Sequence, residues 1–384
     1  MAAELKHFFS KKLVGVLAQD IMRVHPAFDA KKFQEGVCAS LEEQKLLQRA
    51  QHISACLHRF LPQPFPKAWD VLKASLGPEL DTHELIGVGM APFYYLPHVM
   101  FVAAYGLEHP DVAMQAQYEL TKRFSAEFSI RYFIQQNPSD VWRYLMEWKN
   151  DPNPHVRRLV SEGTRCRLPW AVRVSWLDAH LPEVVALLSY LKNDPNPMVR
   201  RSVANNLNDI GKLNPTLLTD TCHAWLQEHP TPEMKKLVTH ALRSAVKRGN
   251  PQALKVMGYG SKAKVSLTRL RCTPSKTAVG GHVRVSWLLE NTSQRIQPVL
   301  VDARVGFVKA NGKTSYKTFK VKTCTLQPQE TSEMSLKVSL AVHTTRKPYP
   351  GKHVVEITVN GHAYGTTSFN VCVKKHLLRF FKCG

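Results

Sequence analysis

The chain has 384 residues, 44% hydrophobic and 21% charged, a globular composition with room for two or three cored domains that excludes a disordered or low-complexity protein. No run approaches the roughly 18 apolar residues of a membrane span, and the first ten residues, with Glu4, Lys6 and His7, lack the apolar core of a secretion signal. The formal net charge of +22 points to a polyanionic partner and is unevenly placed: residues 261–384 hold 21 Lys or Arg against 5 Asp or Glu, the first 260 hold 31 against 25.

In chain order, helical apolar spacing comes first, over residues 11–22 and 31–60. His25-Pro26, Gly77-Pro78, His109-Pro110 and Asn137-Pro138 punctuate the pattern at intervals that suit pairs of helices. An internal repeat follows. Asp151-Pro152-Asn153-Pro154-His155-Val156-Arg157-Arg158 recurs 43 residues later as Asp194-Pro195-Asn196-Pro197-Met198-Val199-Arg200-Arg201, within the ~40–47-residue period of HEAT and armadillo repeats. Asn-Pro suits a helix start, since Asn can cap and Pro takes the first turn. Val156 and Val160, like Val199 and Val203, then share one face. The expectation is an all-α HEAT-like repeat solenoid over residues 1–258.

After Gly258-Tyr259-Gly260 the pattern changes to alternation. Strands are expected over 264–271, 282–289, 300–309, 315–325, 332–341, 354–360 and 365–373, separated by turn signals such as Ala310-Asn311-Gly312 and Asn360-Gly361. About seven short strands point to an all-β immunoglobulin-like sandwich over 262–375, with Trp287 where such a domain buries an aromatic, and a basic-aromatic tail over 376–384. The fold class is therefore multi-domain, a helical solenoid followed by a sandwich. The basic sandwich, with Lys309, Lys313, Lys317, Lys320 and Lys322, is expected to grip DNA.

Eight scattered cysteines have no zinc-ligand spacing, and 17 histidines form no HExxH pair, so neither a metal nor a cofactor is expected, and the thiols read as free in a reducing cytoplasm. Polar side chains fall in stripes on the repeat helices. Arg158, Glu162 and Arg165 lie at i, i+4 and i+7, in a helix expected to run to Leu168-Pro169, with Gly163 exposing backbone and Trp170 just beyond. Arg201, Asn205 and Asp209 follow at i, i+4 and i+8, so Arg158 superposes on Arg201 and Glu162 on Asn205. Spacing alone also permits a structural reading: solvated or inter-repeat ion pairs worth about 0.3–0.5 kcal/mol each, and a packing tryptophan.

Three stretches carry a resemblance: Ser125-Ala126-Glu127-Phe128, the run from His155 through Ser161-Glu162-Gly163-Thr164-Arg165 to Leu168-Pro169-Trp170, and Arg200 through Ala204-Asn205-Asn206 to Asp209. Together with most of residues 1–255 they are similar to the AlkC branch of bacterial HEAT-like-repeat DNA glycosylases, some of which also carry a C-terminal immunoglobulin-like domain. The resemblance implies base-excision repair of alkylation damage: hydrolysis of the N-glycosidic bond of small cationic lesions, 3-methyladenine and by extension 3-methylcytosine, without deep base flipping. It implies Glu162 as the leading catalytic carboxylate, Glu127 and Asp209 sharing the site, and Trp170 lining it. Arg157, Arg158, Arg165, Arg201, Asn205, Lys309, Lys313 and Lys317 become the DNA contacts. The implied partner is double-stranded DNA bearing alkylated bases, bound by a monomer with no membrane association. A non-catalytic lesion-binding scaffold is the principal rival, a protein–protein adaptor and a metal-dependent nuclease the weaker ones.

Overall fold

Asparagine followed by proline starts five helices in the computed structural model, which describes residues 5–80, 91–342 and 347–372. In each, the Asn side-chain oxygen accepts a backbone N–H of the first turn: Asn137 from Asp140, Asn153 from His155, Asn196 from Met198, Asn214 from Leu217 and Asn250 from Ala253. Each pairing satisfies a donor that the helix cannot, and proline supplies the pre-set φ.

The described helices are α1 (Lys11–Val24), α2 (Ala30–Cys38), α3 (Leu46–Phe60), α4 (Phe65–Ala74), α5 (Leu96–Tyr105), α6 (Pro110–Thr121), α7 (Ile130–Gln136), α8 (Pro138–Trp148), α9 (Pro154–Gly163), α10 (Ser175–Ala179), α11 (Leu181–Leu191), α12 (Pro197–Ile210), α13 (Pro215–Glu228), α14 (Pro232–Lys247) and α15 (Pro251–Val256). The helix expected over 31–60 is broken between α2 and α3, where neither glycine nor proline announces it. Tertiary packing makes the break: Leu41 is fully buried, and the buried Arg49 donates to the carbonyls of Phe9, Glu42 and Gln44.

The repeated motif sits at the starts of α9 and α12, with Val156, Val160, Val199 and Val203 all fully buried. Its first arginine folds back onto its own turn. Arg157 donates to the carbonyls of Asp151 and Pro152, and Arg200 to those of Asp194 and Pro195. Arg157 also reaches the next repeat, with Nε 2.6 Å and Nη2 3.0 Å from the two carboxylate oxygens of Asp194.

The chain divides into two units, Met1–Ala241 and Leu242–Gly384. Among its described residues the second holds eight strands: β1 (Val265–Thr273), β2 (Lys276–Ala278), β3 (His282–Asn291), β4 (Gln297–Val308), β5 (Thr314–Leu326), β6 (Thr331–Ser339), β7 (Gly351–Val359) and β8 (His362–Cys372). They form a three-stranded sheet β1-β3-β6 and a five-stranded sheet β2-β8-β7-β4-β5. All seven expected strands are present. The extra one, β2, has three residues, too few to show alternation, and pairs in parallel with β8. Trp287 is buried among Val285, Val301, Ile357 and Phe369 in the sandwich core. Asn360 and Gly361 turn β7 into β8 with φ of 51° and 80°, the left-handed backbone that a two-residue hairpin turn requires. The tail over 376–384 lies outside the described residues.

Two histidines are buried in the helical unit with ring nitrogens that have no hydrogen-bond partner among the described residues, His98 at Nδ1 and His155 at both. Burial pushes the His98 imidazole down to about 4, and burial with the nearby Arg158 charge lowers His155. A base whose folded pKa lies below its unfolded value of about 6.5 contributes full stability above that value and loses it as pH falls towards the folded pKa. Stability is therefore expected to drop between pH 6.5 and 4, with His98 contributing about 3 kcal/mol of the fall. Urea unfolding across this range checks it, and His98→Gln should flatten the curve; an unchanged slope would assign the loss elsewhere.

Candidate active site

Five pieces of chain in the helical unit, one of them Pro92-Phe93, meet around one cleft. The segment before α7 brings Ser125 and Glu127. Helix α9 presents Arg158 and Glu162 one turn apart, and the loop beyond it returns Arg165, Leu168, Pro169 and Trp170. Helix α12 adds Asn205 to the lining and, outside it, the buried Asp209 that Arg165 binds. The cleft has a volume of about 450 Å³ and includes Phe93, Phe124 and Phe128 in its wall.

Its polar groups alternate in sign. Glu127 Oε2 accepts from Ser125 Oγ at 2.9 Å and pairs with Arg158 Nη2 at 3.2 Å. The same guanidinium lies 3.7 Å from Glu162 Oε1, and Glu162 Oε2 is 2.9 Å from Arg165 Nη1. Arg165 Nε is 2.8 Å from Asp209 Oδ2, whose other oxygen is 2.7 Å from Lys212 Nζ. Glu162 and Asp209 are only 5% and 1% exposed at the side chain. Burial alone would push the Glu162 carboxyl up, but the Arg158 and Arg165 charges, with the hydrogen bond from Arg165, outweigh it and hold it below the usual glutamate range. The same attraction overcomes burial at Arg158 and Arg165 and raises both.

The loop carrying Arg165 and Trp170 is held by a residue to which sequence reasoning gave no role. Arg131 is fully buried, and its guanidinium donates to the carbonyls of Gly163, Arg165 and Val172 at 3.0, 2.7 and 2.7 Å. Burial brings it down to about 10, still a cation at neutral pH. Helix α9 ends at Gly163, five residues before the expected Leu168. Thr164 Oγ1 donates back to Val160 and Ser161, and Arg131 draws the next carbonyls away from the helix. Gly163 is buried rather than exposed: a Cβ there would meet Ile130 Cγ2 at 2.8 Å, so the position serves close packing. Trp170, at φ 65° and 61% exposed, stands at the rim in a backbone conformation that tryptophan rarely adopts.

The structure thus brings Glu127, Glu162, Asp209, Arg158, Arg165, Trp170 and Asn205 together, the carboxylates linked through arginines and Trp170 and Asn205 on the walls. Arg157, Arg158 and Arg165, expected from sequence to contact DNA, have their guanidinium groups on carboxylates. For Arg157 the partner is the inter-repeat Asp194, away from the cleft. Arg201 is exposed in a second groove, shared with Arg200, Lys236 and His240. In the other unit Lys309 and Lys313 flank the hairpin that joins β4 to β5, and Lys317 lies on β5, all three exposed. Sequence reasoning missed Phe93, Phe124, Lys212 and Arg131. Phe93, Phe124 and Arg131 do not repeat at the 43-residue offset, and a buried arginine that clamps carbonyls leaves no local signal.

Among the described residues that line the cleft there is no histidine, cysteine or lysine. Anchored carboxylates beside aromatic faces suit the stabilisation of a developing cation and the orientation of water. Such a site suits a leaving group that departs without being protonated.

Residues 266–373 match the model of the C-terminal Ig-like domain of uncharacterised protein YhaZ, and residues 184–213 match a HEAT repeat. The chain is 31% identical over 375 residues to the uncharacterized protein YhaZ of Bacillus subtilis strain 168, covering 96% of this chain and all of that one. It is similar throughout to the solved structure of Pseudomonas fluorescens alkylpurine DNA glycosylase AlkC bound to DNA containing an abasic site analog, with 35% identity, a TM-score of 0.88, and 96% and 99% of the two chains covered.

Proposed function

The chain belongs to the AlkC family of HEAT-like-repeat proteins with a C-terminal immunoglobulin-like domain, and on that premise we propose that it is a DNA glycosylase that hydrolyses the N-glycosidic bond of alkylated bases. The observation that carries the reading is the cleft itself. The cleft carboxylates Glu127 and Glu162, with the adjoining Asp209, are held on arginines beside an exposed tryptophan, and the described lining residues include no histidine, cysteine or lysine to protonate a departing base.

The chemistry fits cationic lesions, 3-methyladenine first and 3-methylcytosine second. Ring methylation makes the base positively charged and a good leaving group. Departure builds oxocarbenium character on the deoxyribose, as in sugar hydrolysis generally. Glu162, kept ionised by Arg158 and Arg165, faces that charge and orients water, with Glu127 and Asp209 sharing the task. Trp170 covers the cationic sugar or base through its π face. A rim-mounted tryptophan on a cleft of about 450 Å³ favours attack on a base that has not been drawn into a deep pocket.

Labour is divided in this reading between a helical catalytic domain, 1–258, and a basic sandwich, 262–375, acting as a monomer on double-stranded DNA. With Arg157, Arg158 and Arg165 committed to carboxylates, the phosphate grip falls to Arg201, Asn205 and the sandwich lysines. The direct test is base release from randomly methylated duplex with no metal added. Free 3-methyladenine and matching abasic sites are expected. Tight duplex binding with no base released would make the chain a lesion-binding scaffold.

A further inference from the structure

A hydrogen bond joins the cleft to a basic groove. Asn205, on α12, lines the cleft with Arg158, Glu162 and Arg165, while His240, on α14, lines the groove with Arg200, Arg201 and Lys236. His240 Nε2 lies 2.9 Å from Asn205 Oδ1, so the imidazole donates and the carboxamide oxygen accepts.

With the imidazole in its Nε2–H tautomer, that contact fixes which way the asparagine amide points. A carboxamide turned by 180° about its last torsion keeps its shape but exchanges an acceptor for two donors. An oxygen facing Glu162 would meet like partial charge, whereas amide hydrogens would support the carboxylates and donate to an oxygen of a bound nucleotide. The Nε2–H tautomer, which the Oδ1 contact requires, selects the second arrangement.

We propose that His240 is a positioning residue for this cleft: it acts through Asn205, keeping the carboxamide oxygen on the α14 side so that the amide hydrogens face the carboxylates and the bound nucleotide. The proposal rests on the glycosylase reading for what the cleft does.

His240→Gln and His240→Asn separate a positioning role from a merely structural one. Both are polar and neutral, but only the glutamine amide nitrogen can take the place of Nε2. The readouts are single-turnover base release at saturating protein and the preference for duplex with an abasic-site analogue over intact duplex. H240N is expected to lower the saturated rate about tenfold, as misplacement of a cleft group does, and to weaken the abasic preference. H240Q should restore both to within about threefold, and N205A/H240N should be no slower than N205A alone. The proposal is overturned if H240N keeps the wild-type saturated rate and only binds DNA more weakly, or if the H240N and N205A losses multiply. A wild-type chain that releases no base would overturn the glycosylase reading instead, and the abasic preference of the two variants would then decide this one.

Discussion

Glu162→Gln is expected to slow single-turnover base release by about 10²–10⁴-fold, the range for loss of a positioned base or electrostatic stabiliser, with duplex affinity nearly unchanged. The substitution removes one charge and keeps the shape. It should not unfold the protein, because each guanidinium that Glu162 binds has a second carboxylate: Arg158 keeps Glu127, and Arg165 keeps Asp209. The two arginines also predict the pH profile. A carboxyl held below the ordinary glutamate range stays ionised as pH falls through that range, so the Glu162 contribution persists there and is lost only at lower pH. Release rates that survive E162Q would remove Glu162 from the chemistry and make the carboxylate–arginine chain a packing device.

Replacing Lys309, Lys313 and Lys317 together by glutamine is expected to cut duplex affinity by about two orders of magnitude near 0.1 M salt, and to shrink the slope of log affinity against log salt by about 3. The three ammonium groups stand exposed at and beside the β4–β5 hairpin, in a domain whose charge balance no fold requires. Each phosphate neutralised releases counterion, so the slope counts contacts independently of the affinity. Because the substituted side chains are exposed, thermal stability should barely change. An unchanged slope would mean that the sandwich charge serves something other than the phosphate backbone.

Much of this architecture was legible because its signals are local. The Asn-Pro caps, the 43-residue repeat and the alternation of the strands each follow from backbone hydrogen bonding and side-chain period. The carboxylates were legible by resemblance; spacing alone left Arg158, Glu162 and Arg165 equally suited to a solvated surface. What sequence could not supply was the return of the chain. Arg165 reaches Asp209 because the helix stops at Gly163, and it stops there because Thr164 caps it and Arg131, 32 residues earlier, takes the Gly163 carbonyl. Arg157 and Arg158 are neighbours of one type in one motif, yet one joins repeats and the other anchors the cleft, a distinction that only the direction of each side chain makes.

Trp170 sits at φ 65° with most of its surface in water, so the fold gains little from its ring and loses about 1–3 kcal/mol to its backbone. Asparagine tolerates that conformation far better. Trp170→Asn is therefore expected to melt at a higher temperature than the parent chain while releasing alkylated base more slowly. Selection for heat resistance and selection for repair pull this one position in opposite directions.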